Sequence, residues 1–209
     1  VVYFSTDPLE EPVEVTGPVQ AELHVSTDVP DTTFMVKLLD IYPDGYEAMI
    51  AQGAVDLEEL ARERSTLMES LAAQKGVNLR LSQAGTGPYR AKADRHRTAQ
   101  VLDNLLDNAL RYAPAGSDIQ LHLDKRGAGI QCSVKDAGAG IPAEDLPHIF
   151  ERFYRVEKSR DRDSGGAGLG LAIARSLIEA QGGILEAQSE TGNGTRMIFQ
   201  LPGADLPGN

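Results

Sequence analysis

Asn104-Leu-Leu-Asp-Asn108-Ala, Asp136-Ala-Gly138-Ala-Gly140, Gly165-Gly-Ala-Gly168-Leu-Gly170 and Gly192-Asn-Gly194-Thr195 follow one another in that order along the chain. A glycine triplet alone marks a turn and little more. Here each motif sits within or beside a strongly patterned segment. The first lies inside a predicted helix over Asp94–Tyr112, ended by Pro114 and Gly116. In it, Val101, Leu105 and Ala109 form one apolar stripe and Leu102, Leu106 and Leu110 its neighbour. The second follows a strand over 129–135, itself preceded by a strand over 118–124. The third precedes a helix over Ala172–Gln181, closed by Gly182-Gly183. The fourth is the turn between strands over 184–189 and 195–201. Upstream, Asp56 is a candidate N-cap with Glu59 as its box partner, for a helix that reaches about Gln74 and stops at Gly76. Val77–Leu81 reads as a strand.

Taken together, the motifs carry a chemistry. Asn104, Asn108, Arg111 and Tyr112 recur at helical spacing on one polar face, which is either a solvated face or a surface for a metal-triphosphate. An amide oxygen can ligate Mg²⁺ without adding negative charge beside phosphates. Asp136, at a strand end, can accept a hydrogen bond from the exocyclic amine of adenine, a donor that guanine lacks at that position. Gly138 and Gly140 allow the backbone to approach the base. The 165–170 run offers amide N–H groups and a helix N-terminus to phosphate oxygens. It is neither a P-loop, since the lysine is missing, nor a dinucleotide fingerprint, since no βαβ unit surrounds it. Between them, Phe150-Glu-Arg-Phe-Tyr-Arg-Val-Glu-Lys158 is aromatic and basic. Phe150 and Phe153 are expected to anchor a loop over 157–167, with Arg155 and Lys158 meeting the γ-phosphate.

Charge divides the chain. Residues 1–54 carry a balance of −9 and residues 55–209 a balance of −2. The acidic half and the lack of a basic patch exclude nucleic acid as a partner. Residues 1–53 look all-β. Val19, Ala21, Leu23 and Val25 alternate with polar residues, Phe34–Ile41 is a second strand-like run, and Tyr42-Pro-Asp-Gly45 is a turn signal. The tail over 204–209 is expected to fray. No apolar run approaches the roughly 20 residues that span a bilayer. The chain begins without methionine or a signal-peptide pattern, which reads as a fragment. The single cysteine, Cys132, alternates with Ile130 and Val134 and is expected to be buried in a strand; no Cys/His spacing suggests a metal site.

On these motifs, residues 55–203 resemble the catalytic and ATP-binding domain of bacterial sensor histidine kinases, in the gyrase and heat-shock-chaperone ATPase superfamily. Asn104–Tyr112 is similar to that family's N box, Asp136–Gly140 to its G1 box, Phe150–Phe153 to its F box, Gly165–Gly170 to its G2 box and Gly192–Thr195 to its G3 segment. The resemblance implies an α+β fold, a two-layer sandwich with a mixed sheet of about five strands and three helices, preceded by the small all-β segment. It implies ATP and Mg²⁺ as cofactors, with Asn108 on Mg²⁺, Asp136 on adenine, and Arg111, Tyr112 and Arg155 on phosphates. Asn104, Asn108 and Arg155 form the expected catalytic set. Gly138, Gly140, Lys158, Gly166, Gly168, Leu169, Gly170 and Thr195 complete the nucleotide contacts. Hydrolysing relatives place Glu where Asn104 stands, and Asn cannot take a proton at neutral pH, which favours phosphoryl transfer over hydrolysis.

None of His24, His96, His122 or His148 has the family's acceptor context of His, Glu and then Pro. The expected activity is therefore a protein-histidine kinase that donates the ATP γ-phosphate to a histidine on a separate dimerisation domain. A response regulator is the further partner, and the location is cytoplasmic, with a parent kinase that can be membrane-anchored through other regions. Residues 1–53 resemble part of the C-terminal jelly-roll domain of the cocaine-esterase and X-Pro dipeptidyl-peptidase family, on Thr16-Gly-Pro-Val-Gln-Ala-Glu-Leu, Ser26-Thr-Asp-Val-Pro-Asp-Thr-Thr-Phe and Lys37-Leu-Leu-Asp-Ile-Tyr-Pro-Asp-Gly45. The family's catalytic hydrolase domain and its Gly-x-Ser-x-Gly are missing here, so no esterase activity is expected. The domains expected are 1–53, 54–203 and a tail over 204–209, which together suggest a chimera, with self-association through residues 1–53. The competing reading is a non-catalytic chimeric assembly protein with a vestigial or structural nucleotide site.

Overall fold

The computed structural model describes residues 39–41, 47–49, 54–156 and 168–204. The chain divides into two compact units, Val1–Ile50 and Ala51–Asn209. In the first, β1 (Leu39–Ile41) pairs antiparallel with β2 (Glu47–Met49), Asp40 facing Ala48. The expected strand over Val19–Ser26 lies outside the described residues, as does most of Phe34–Ile41.

The second unit is built on β3 (Ala54–Asp56), α1 (Leu57–Gln74), β4 (Asn78–Gln83), β5 (Arg90–Lys92), α2 (Arg95–Tyr112), β6 (Asp118–Arg126), β7 (Gly129–Lys135), α3 (Gly170–Glu179), β8 (Ile184–Ser189) and β9 (Thr195–Pro202). Five strands form one mixed sheet in the order β4-β6-β7-β9-β8; only the β4–β6 pair is parallel. Period-two alternation turns one row of side chains toward the helices. Leu121, Val134 and Met197 lie side by side in register, as do Leu123, Cys132, Phe199 and Leu185, and all are buried. Across from them, both apolar stripes of α2 are buried, from Val101 to Leu110. That helix packs against α1 on one side and α3 on the other. The sandwich of a mixed five-stranded sheet and three helices is the expected α+β fold.

The helix ends follow their caps. Asp56 Oδ1 accepts the Glu58 and Glu59 amides, and Asp94 Oδ1 accepts the Arg97 amide, so each satisfies amides that the helix itself cannot. Glu59 does not fold back as a box partner; its carboxylate turns to Arg95. The last helix begins two residues earlier than its sequence pattern, because the Leu169 carbonyl already accepts the Ile173 amide. Its far end is tied to α2 by Gln181. There Oε1 accepts the Asp94 amide at 2.8 Å and the Thr98 hydroxyl at 3.3 Å, while Nε2 donates to the Leu177 carbonyl. One pairing has no counterpart in the sequence reading: the three-residue ribbon β3–β5, with Val55 opposite Ala91.

Candidate nucleotide-binding site

Asp136 stands one residue beyond β7 and is almost fully buried. Its Oδ1 accepts the Gly138 amide at 2.8 Å and the Thr195 amide at 3.3 Å, and its own amide donates to the Thr195 carbonyl. Among the described residues both bonds to the side chain fall on Oδ1 and none on Oδ2. Burial raises the carboxyl above the usual carboxylate range, against the backbone amides of Gly138, Thr195 and Asp136 itself, which lower it.

The glycine motifs converge on this carboxylate because their backbones lie too close for side chains. A Cβ on Gly194, whose φ is +76°, would collide with the Asp136 carbonyl. One on Gly138 would sit 2.8 Å from the Tyr112 carbonyl, so the loop after β7 lies directly against the C-terminal end of α2. Gly140 packs on the Glu190 carbonyl, and the Gly192 amide donates to the Ala139 carbonyl at 2.7 Å. Thr195, at the start of β9, is buried beside Asp136. Ser189, which the motif reading did not single out, joins these pieces. Its Oγ accepts the Ile141 amide, donates to the Gly194 carbonyl and lies 3.0 Å from Thr195 Oγ1.

A second junction lies between α2 and α3. A Cβ on Gly170, the first residue of α3, would stand 3.3 Å from Asn104 Oδ1, and Asn104 Nδ2 is buried with no hydrogen-bond partner among the described residues. Asn108 is half-buried one turn further along α2, while Arg111 and Tyr112 at its end are exposed. The N-cap Leu169 supplies no side-chain bond to α3, whose N-terminus carries the positive end of the helix dipole.

The F-box turn adjoins the same helix. Phe153 has φ +67°, and its amide donates to the carbonyl of Gly168, which also has φ +67°. The two phenylalanines expected to anchor the loop are held differently. Phe150 does pack, under the Arg175 guanidinium at 5.3 Å, but the Phe153 ring is 70% exposed and its attachment is through the backbone. A groove of about 270 Å³ lies there, lined by Arg152, Phe153, Leu169, Ala172 and Ile173. Arg155 is exposed beyond the turn. Lys158, Gly166 and the loop over 157–167 lie outside the described residues.

These groups fit an adenine nucleotide: a buried acceptor oxygen, close glycine backbone, and amides and cations along the α2–α3 side. Among the described residues no group of three or more His, Cys, Asp or Glu could hold a metal by itself. A cation at Asn108 would therefore share an amide oxygen with ligand phosphates, a donor set suited to Mg²⁺. Cys132 is as expected buried in the sheet, and burial pushes its thiol up to about 12, which excludes it as a nucleophile.

Comparison with known proteins agrees with the geometry. Residues 93–205, more than half of the chain, match the model of the histidine kinase-, DNA gyrase B- and HSP90-like ATPases. Residues 1–87 match the X-Pro dipeptidyl-peptidase C-terminal non-catalytic domain, so two family signatures lie in one chain, as in a chimera. Sensor histidine kinase WalK of Bacillus subtilis is 46% identical over 111 residues, 52% of this chain and 18% of that protein. Sensor-like histidine kinase SenX3 of Mycolicibacterium smegmatis is 31% identical over 211 residues, 93% of this chain and 54% of the relative. The chain thus spans about half or less of these relatives' length. The catalytic domain of histidine kinase ThkA superposes with a TM-score of 0.63 at 30% identity, covering 72% of this chain and 94% of that one. ThkA in complex with response regulator protein TrrA superposes with a TM-score of 0.61 at 28% identity, covering 73% of this chain and 42% of that one. No described helix is long and apolar enough to cross a membrane.

Proposed function

Because the chain belongs to the histidine kinase-, DNA gyrase B- and HSP90-like ATPase family, we propose that it is the Mg²⁺-ATP-binding catalytic domain of a two-component sensor histidine kinase. It donates the γ-phosphate of ATP to a histidine on a separate dimerisation domain, and a response regulator receives the phosphoryl group in turn. The observation that carries this reading is the Asp136 carboxylate, buried where the glycine turns meet, with one oxygen saturated by backbone amides and the other left for a base.

Each residue has a task in this reading. Asp136 Oδ2 accepts from the exocyclic amine of adenine, and Gly138 and Gly140 admit the base. Asn108 ligates Mg²⁺, which neutralises charge on the triphosphate. Arg111, Tyr112, Arg155, Lys158 and the amides over Gly168–Gly170, at the entry to α3, hold phosphate oxygens. Asn104 stands where a hydrolase needs a base and cannot serve as one, which favours transfer over loss to water. His148 is engaged with Glu151, and His122 with Ser82. None of His24, His96, His122 and His148 precedes an acceptor motif, so on this reading the acceptor lies on a separate dimerisation domain. The consumption of ATP places the domain in the cytoplasm.

Titration of the full chain with ATP, with and without Mg²⁺, should show metal-enhanced binding, and Asn108→Ala should abolish the enhancement while metal-free binding persists. Incubation with a separate histidine-bearing hairpin should then yield an acid-labile phosphohistidine on the hairpin. Rapid steady-state phosphate release, or phosphohistidine on the chain itself, would contradict the reading.

A further inference from the structure

Ser189 closes β8, and nothing in its local sequence marks it as functional. Its oxygen is nonetheless fully used. The Ile141 amide donates to it at 2.8 Å, it donates to the Gly194 carbonyl at 2.8 Å, and Thr195 Oγ1 lies 3.0 Å away. A serine hydroxyl has one proton and two lone pairs. A carbonyl can only accept, so the proton belongs to Gly194. In the contact between the two hydroxyls Thr195 must then be the donor, and Ser189 is saturated. Thr195 is left with lone pairs alone, next to an Asp136 carboxylate that its own amide already holds.

We propose that Ser189 is a positioning residue that sets base preference by fixing the polarity of Thr195. With the Thr195 proton drawn away to Ser189, the side chains of Thr195 and Asp136 both present acceptors. A purine 6-substituent that meets both of them directly must offer donors. The 6-amino group of adenine does. The 6-oxo group of hypoxanthine or guanine brings a third acceptor and is rejected, because a buried acceptor facing acceptors stays unpaired. The same hydroxyl fastens the loop after β7 to the β8–β9 turn. The inference rests on the nucleotide reading above and adds a residue that touches no ligand.

The test compares ATP with inosine triphosphate, which differs from it only in the 6-substituent and the N1 proton, on the full chain by calorimetry. Ser189→Ala frees the Thr195 hydroxyl to turn and donate to the 6-oxo group. The ratio of the inosine triphosphate Kd to the ATP Kd should fall by about tenfold, the scale of one buried polar mismatch. Ser189→Thr should restore the parent ratio. Thr195→Val, which deletes the acceptor while keeping shape, should also lower the ratio and serves if Ser189→Ala does not fold. A purely structural Ser189 would weaken both nucleotides alike and leave the ratio unchanged, and that result overturns the proposal. If the parent binds neither nucleotide, the nucleotide reading itself fails. If the parent discriminates and both variants keep its ratio, only the assignment of Ser189 fails.

Discussion

At the scale of residues, the cost of the site is concentrated in Asp136. Its carboxyl is held above the usual range by burial. The fold therefore binds that proton more readily than the unfolded chain does. Between the ordinary carboxylate pKa and the raised one, stability falls as pH rises, and above that window the full cost persists. Asn at this position keeps an Oδ1 for the Gly138 and Thr195 amides and removes the buried charge. Asp136→Asn should then melt at or above the parent temperature at neutral pH, with the difference shrinking on acidification. Its ATP affinity should fall by about 1–3 kcal/mol, since a donor now faces the adenine amine. Thermal melts across pH, paired with calorimetry, check both halves; a lower melting temperature at neutral pH would refute the first. Asp136, Gly138 and Gly140 were legible in the sequence because their motif is contiguous. Ser189 was not, since its role is set by Ile141 and Thr195, one of them 48 residues away. Nor was the left-handed backbone of Phe153, which no aromatic residue advertises.

At the scale of elements, α2 was legible almost to the residue, because eighteen residues with two apolar stripes and an Asp cap leave little choice. The β3–β5 ribbon was invisible, since three residues per strand carry no period. Its pairing comes from Tyr89, fully buried, whose carbonyl accepts the Leu57 amide at 2.9 Å. The joint between α2 and α3 was also unread. Gln181 lies beyond the end of α3, yet is 3% exposed and satisfies an amide and a hydroxyl at the start of α2. Gln181→Leu would keep the volume and strand the Asp94 amide, while the Thr98 hydroxyl keeps the Asp94 carbonyl. The expected loss is about 1–3 kcal/mol in urea unfolding. A midpoint equal to the parent's would mean that solvent replaces the missing acceptor.

At the scale of the molecule, the two family signatures and the folded units do not share a border. The X-Pro dipeptidyl-peptidase match runs to residue 87, whereas the contact division falls after Ile50. Residues 54–87 hold α1 and β4, and Leu57, Leu60, Ala61 and Ala72 belong to the core under the five-stranded sheet. A chain starting at residue 54 should therefore fold and bind ATP, with any change confined to melting temperature or oligomeric mass. A chain starting at residue 88 should not fold, since it removes Leu57, Leu60, Ala61 and Ala72 from the core and β4 from the sheet. Circular dichroism and light scattering on the two truncations distinguish these outcomes; a folded, ATP-binding chain from residue 88 would refute the assignment of α1 to the core.

The bond from the Phe153 amide to the Gly168 carbonyl joins two points of the backbone fifteen residues apart in sequence. A segment whose two ends are already held together makes small entropic demands as it grows: doubling its length adds only about 0.6 kcal/mol. Closure entropy therefore sets no narrow length for the residues between. A longer or shorter sequence, with a different reach and charge, can be grafted between Tyr154 and residue 167 while the adenine side stays as it is. Divergence of turnover among such grafts, at constant adenine selectivity, is the expected signature of that separation.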